Sequence, residues 1–170
     1  MRAGVRVGVD VGEARVGLAA SDPDGVLATP VATLERDHEG GSDLERIARE
    51  VLERDGVQVY VGLPLGLGGG EGVASARARD YADRLHRLLP DVAVHLLDER
   101  LTTVDAHRAL HDSGVAGRKH RARVDQVAAV FILQAALDTE RATGRPAGRP
   151  VSGRKPRARR PGRGNEVAQS

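Results

Sequence analysis

A chain of 170 residues that is 40% hydrophobic can bury one sizeable core but has no room for two substantial lobes. It holds no cysteine, which excludes disulfide and zinc–thiolate frameworks, and its only aromatics are Tyr60, Tyr81 and Phe131, so Val, Leu, Ile and Ala must build the core. The net charge of +2 hides a division: residues 1–140 hold 17 Lys and Arg against 23 Asp and Glu, and residues 141–170 hold nine against one, so a domain of −6 carries a stretch of +8. Nothing near Met1 resembles a signal peptide and no apolar run approaches membrane-spanning length, so a soluble cytoplasmic protein with no membrane partner is expected.

Taken in order, the chain opens on a strand. Val5, Val7, Val9 and Val11 alternate with Arg6, Gly8, Asp10 and Gly12, the period of two of a strand with one packed face. Gly12 to Arg15 reads as a tight turn, and Val16 to Ala20 as the returning strand of a hairpin. Asp22-Pro23-Asp24-Gly25 is a turn signature, and Val26 to Leu34 is a third strand with Pro30 at an edge or bulge. Ser42-Asp43-Leu44-Glu45 has the capping-box pattern and opens a helix with Leu44, Ile47, Ala48, Val51 and Leu52 on one face. Val57 to Leu63 is a fourth strand, followed by a glycine-dense loop from Gly62 to Gly72. Val73 to Leu89 reads as a helix buried through Ala74, Ala78, Tyr81, Leu85, Leu88 and Leu89. Val92 to Leu97 is a fifth strand.

Helices follow. One runs from Thr102 or Thr103 to about Ser113, Gly117 to Arg123 is a basic loop, and Val124 to about Thr143 is a long helix. From Gly144 the composition is Arg, Lys, Pro, Gly and Ala without apolar period, so residues 144–170 are read as a disordered basic tail behind one domain over 1–143. A three-strand meander followed by crossovers implies an α/β fold: a five-stranded mixed sheet flanked by helices, with strands four and five parallel to the first.

In such a sheet, ligands gather beyond the carboxyl ends of parallel strands. Asp10 lies towards the end of strand one and Glu99 just past strand five. Asp125 shares a helix face with Ala128, Ala129 and Ile132, which turns it towards the sheet. A carboxylate within a buried strand is costly without a cation, and three together repel one another. Oxygen donors of this kind suit Mg²⁺ or Mn²⁺, and such ions can activate water for phosphodiester hydrolysis. Arg100, Arg118, Lys119, Arg121 and Arg123 flank the acids and could hold a polyanionic backbone. Other patterns carry less. Gly66 to Gly72 lacks both phosphate-loop motifs, His107 and His111 lack the glutamate of a metalloprotease pair, and His95 reads as a sheet-face residue.

GVDVGEARVGLAASD, VGLP with its glycine-rich sequel, DERLTT and VDQVAAVFILQAALD together resemble the YqgF/RuvX family over roughly residues 5–140. These RNase H-like proteins are described as Holliday-junction resolvases and as nucleases that mature the 5′ end of pre-16S ribosomal RNA. The resemblance implies an RNase H-like fold and a metal-dependent nuclease, with a catalytic and metal-binding site on Asp10, Glu99 and Asp125 and with Asp98 as the alternative acid. It makes Arg15, Arg100, Thr102 and Thr103 candidates either for supporting the acidic residues from behind or for contacting phosphate, and it places the basic, nucleic-acid-binding segment on Arg118, Lys119, Arg121 and Arg123. The implied products are a 5′-phosphate and a 3′-hydroxyl. Relatives commonly carry polar or acidic residues after the VGLP proline, where this chain reads Leu65-Gly66-Leu67. The expected partner is structured RNA or branched DNA. A junction enzyme would be a symmetric homodimer, whereas a monomer could cut RNA. An Asp-x-Gly hairpin also opens actin-like ATPases, but those need a second lobe. A non-catalytic RNA-binding factor working through its tail would survive loss of Asp10.

Overall fold

The computed structural model describes residues 2–66, 70–102 and 118–151, with side chains of the last helix described from Val127 onward. The expected helix after Thr102, with Thr103, His107 and His111, lies outside the described residues, as does the tail from 152. The strands are β1 (Val5–Val11), β2 (Arg15–Ser21), β3 (Ala28–Glu35), β4 (Gly56–Leu63), β5 (Ala93–Asp98) and β6 (Arg149–Pro150). The helices are α1 (Ser42–Glu53), α2 (Val73–Leu88) and α3 (Arg118–Thr143), and a single 3-10 turn occupies Glu99–Leu101. The six strands form one sheet in the order β3-β2-β1-β4-β5-β6. β1, β4 and β5 run parallel and the other neighbours antiparallel, so the mixed sheet and its parallel centre stand as expected.

The sheet is covered on both faces, and its strands alternate between two cores. Val7, Val9, Val59, Val61, Leu63 and Leu96 pack against Leu44, Ile47 and Val51 of α1 and Tyr81 and Leu85 of α2. Tyr60 and Leu97 point the other way, into a core with Ala129, Ile132, Leu133 and Ala136 of α3. The one-sided strand read at Val5–Val11 is therefore corrected: α3 covers the face that Gly8 and Asp10 share. Gly8 makes this possible. A Cβ there would lie 2.7 Å from Leu133 Cβ and 2.9 Å from the Ala129 carbonyl, so only glycine admits α3 so close to the sheet.

Four further readings change. α1 begins after Gly41, in the left-handed region at φ 70°, rather than through the capping box. The Asp37 carboxylate takes the Gly40 and Ser42 amides, while Asp43 is buried against Arg36 and Tyr81. Leu52 and Leu88 are 60% and 44% exposed, and Ser75 and Ala82 fill the α2 contact in place of Ala74 and Leu88. The basic segment is not a loop: α3 starts at Arg118, as suits a run of Arg, Lys and Ala with no Gly or Pro before Gly144.

The sixth strand lies within the stretch read as tail. Residues 144–151 are folded: Gly148 turns the chain at φ 72°, Ala147 is buried, and the Val151 amide donates to the Val94 carbonyl at 2.8 Å. A composition without apolar period hid this, because two ladder residues and one buried alanine need none.

Candidate functional site

Asp10 is 2% exposed near the carboxyl end of β1, a strand paired on both sides. It stands opposite Gly17 of β2 and one residue beyond the last matched pair with β4, Val9 with Val61. By alternation it shares the α3 face with Gly8 and Arg6. Glu99 is 1% exposed at the head of the 3-10 turn beyond β5. Its carboxylate lies over Gly62, where an added Cβ would stand 2.6 Å from Glu99 Oε1 and 2.5 Å from Ile132 Cδ1. Gly62 is the β4 residue level with Asp10 and is matched to Leu97 of β5. The structure therefore brings Asp10 and Glu99 to the same face of the sheet, at the carboxyl ends of its parallel strands. Thr102, a candidate for supporting the acids or contacting phosphate, caps the turn beneath Glu99: its hydroxyl and amide donate to the Glu99 carbonyl at 2.8 and 2.9 Å.

Asp98 goes elsewhere. One residue earlier, its side chain falls on the opposite face, where Arg100 grips it through Nε at 3.0 and 3.1 Å and Nη2 at 2.6 Å. The Arg100 hydrogen bonds hold the Asp98 carboxyl below its usual range. Arg100 makes that pair through Nε and Nη2, on the far face from Glu99. Arg15 opens β2 opposite Glu35 and is half-buried. Asp125 and Arg118, Lys119, Arg121 and Arg123 belong to the first turns of α3, before its described side chains begin. Among the described residues no three metal-ligating side chains cluster. Asp10 and Glu99 are two carboxylates, a hard oxygen donor set of the sort Mg²⁺ and Mn²⁺ prefer.

Two buried systems escaped the sequence reading. Arg6, 1% exposed, pairs with Glu140 of α3 through Nη2 at 2.7 Å and Nε at 3.3 Å, and the Tyr60 hydroxyl donates to the same carboxylate at 3.1 Å. On the other side of the site, Arg36 Nη1 donates to the Gly12 carbonyl at 2.9 Å, two residues beyond Asp10. Its Nε faces Asp43 Oδ2 at 3.2 Å, an ion pair without hydrogen-bond geometry, and its guanidinium lies 4.8 Å over the Tyr81 ring. The Arg36 amide and the His38 ring take the next two carbonyls of the turn, Ala14 and Glu13, both at 2.9 Å. Charged residues within apolar patterns were the available signal.

A mixed sheet with antiparallel leading strands and acids gathered at its parallel centre defines an RNase H-like α/β protein of the nuclease class. A Thermus thermophilus RuvC solved in complex with a Holliday junction substrate has this fold: the TM-score is 0.51 at 13% identity, over 86% of this chain and 99% of that one. The chain belongs to the RuvX family, described as "Holliday junction resolvase", whose profile matches residues 4–139. Relatives bearing the name "Putative pre-16S rRNA nuclease" include one from Kineococcus radiotolerans, 55% identical over 96% of this chain and 85% of that protein. Others come from Nocardioides sp., 55% identical over 85% and 94%, and Streptomyces coelicolor, 49% identical over 89% and 90%.

Proposed function

We propose that this chain cuts precursor ribosomal RNA in the cytoplasm to form the 5′ end of 16S rRNA, using a divalent metal held by Asp10, Glu99 and Asp125. One observation carries the reading: two carboxylates, each no more than 2% exposed, sit on one sheet face across a glycine. Buried carboxylates on one face are costly to desolvate, and a hard cation offsets that cost. α3 runs antiparallel to β1, with Glu140 at Arg6 and Ala129 and Leu133 at Gly8. Continued one step towards Asp10, it arrives at the turn that holds Asp125. Helical period supports the same placement, since Ala128 and Ala129, three and four residues on, are buried against the sheet.

When bound, Mg²⁺ or Mn²⁺ supplies charge stabilisation at the scissile phosphate and a lowered pKa for attacking water. The chain's own groups do the rest. The β1 ladder and the Arg36-held turn fix Asp10, while Gly62 and the Thr102 cap fix Glu99. α3 lies over the face that carries the acids, and Arg118, Lys119, Arg121 and Arg123 on its first turns attract the phosphate backbone. Family description favours one second reading, the resolution of branched DNA.

The test incubates wild type, Asp10→Asn, Glu99→Gln and Asp125→Asn with Mg²⁺ or Mn²⁺ and two labelled substrates, a precursor rRNA 5′ leader and a four-way DNA junction. RNA cleavage that vanishes in EDTA and falls at least a hundredfold in each variant is expected. Cutting of the junction alone would replace the RNA reading with a resolvase. Binding without cutting, unchanged by the substitutions, would make the chain a non-catalytic RNA-binding factor.

A further inference from the structure

The carboxyl ends of β4 and β5 have a second face, turned away from Asp10 and Glu99. On that side, between α2 and β6, lies a groove of about 550 Å³, within the ~300–1,000 Å³ range of ligand pockets. Leu63, Leu65 and Leu96 give it an apolar floor, and Leu101 beside them is 74% exposed. Arg79, Arg100 and Arg149 come to its rim from α2, the 3-10 turn and β6. Glu71 pairs with Arg79, and Asp98 with Arg100 through Nε and Nη2. These pairs are partly exposed, so solvent competes for them, and they fix two guanidiniums at the mouth without using all five donors of either. With Arg149, three cations stand against two carboxylates among the described residues of the rim, a positive balance.

The groove also adjoins the acidic site along the chain. Glu99 sits between Asp98 and Arg100, both of which line the groove, so one three-residue segment presents a buried acid to one face and a basic rim to the other. A polyanionic strand crossing the carboxyl edge of the sheet passes from one to the other. We propose that this groove is a nucleotide subsite: it takes the base of an RNA nucleotide adjoining the scissile phosphate on its leucine floor, with the flanking phosphates against Arg100 and Arg149. Leucines offer no hydrogen bonds to base edges, so the subsite accepts any base by apolar contact. The inference rests on the nuclease reading above. The chain continues past β6 with six Lys and Arg after position 151, which share the sign of the rim.

The test is a binding cycle in the full chain carrying Asp10→Asn, with and without Leu101→Ser or Arg149→Gln, both at exposed positions. Fluorescence anisotropy follows a labelled rRNA leader and a set of leaders with single abasic sites scanned along it. One abasic position beside the cut made by wild type is expected to weaken binding roughly tenfold, and Leu101→Ser to lose the same factor and silence that position. Arg149→Gln is expected to weaken every leader alike and to flatten the salt dependence. Unchanged thermal unfolding confirms that the variants fold. Leu101→Ser acting equally on all leaders, or on none, would overturn the subsite. So would tighter binding on deletion of residues 152–170 with Leu101→Ser silent, which would give the groove to the tail. Coupling at one abasic position in a protein whose wild type cuts no RNA would keep the groove and sink the nuclease reading; cutting without coupling would do the reverse.

Discussion

Arg36 shows how one side chain can brace the turn that follows a candidate site residue, Asp10. Its guanidinium ties the turn after Asp10 to α1 through Asp43 and to α2 through Tyr81. Replacing Arg36 with Met would leave Asp43 buried without its cation, a loss of about 3–5 kcal/mol, whereas Tyr81→Phe removes one hydrogen bond for about 1–2 kcal/mol. Urea unfolding of both variants is expected to give that order. Asp37 next door works by a different term. Chiefly the Gly40 amide, with Ser42 after it, draws its carboxyl down to about 2 from the ordinary 3.8. A depressed folded pKa means the contribution is complete above pH ~4 and is lost as pH falls through 2. An NMR titration should therefore find Asp37 charged at pH 3, with the Ser42 amide losing protection only below that. Asn at 37 should abolish the pH step. The sequence could not show either role, because Ser42 offers the standard cap and the competing carboxylate comes from five residues upstream.

At the scale of elements, the match between α3 and the sheet depends on two missing side chains, at Gly8 and Gly62. Both lie on the face that carries Asp10 and Glu99, and both would collide with α3 if given a methyl group. Gly62→Ala is expected to cost about 1–3 kcal/mol of stability and to displace the Glu99 carboxylate. Mn²⁺ affinity measured by calorimetry should then fall at least tenfold, as for lost outer contacts at metal sites. A variant that unfolds more easily yet binds Mn²⁺ as wild type would separate packing from the site. Most of this level was legible. Valine alternation marked β1, β4 and β5, and apolar spacing marked all three helices. What the strings of residues hid was the second covered face of β1, since Arg6, Gly8 and Asp10 look like a solvated row until Glu140, Leu133 and Ala129 are set against them.

For the whole molecule, the folded chain reaches past Thr143 to Val151, the last described residue, through β6, the buried Ala147 and the Val151–Val94 bond. A chain ending at 151 should unfold like the full-length protein and bind RNA with a weaker salt dependence, having lost six Lys and Arg. A chain ending at 143 also loses β6, the buried Ala147 and the Ala147 carbonyl that meets the His95 ring at 2.8 Å. Its stability should drop by about 2–3 kcal/mol, and β5 amides should exchange faster with solvent. Equal stability of the two truncations would return residues 144–151 to the tail. Composition could not show that residues 144–151 fold, because it averages over a window, whereas one turn at Gly148 brings them to β5. The acidic pair was legible because chemistry marks it: a carboxylate within valines at Asp10, another after a strand at Glu99. The helix over 118–123 was missed because its charges suggested a loop.

The Arg6–Glu140 bridge joins residues 134 apart in the chain. Closing so long a loop is entropically expensive, and a contact of that span contributes after the nucleus has formed. The bridge therefore acts as a late bolt. It adds little to the speed at which the protein reaches its native state and much to the time it stays there. Glu140→Gln should leave refolding rates in dilute urea nearly unchanged while unfolding accelerates by an order of magnitude or more, the pattern of a contact absent from the transition state. The bridge fastens α3 to β1 at the end of the helix remote from the turns that hold Asp125.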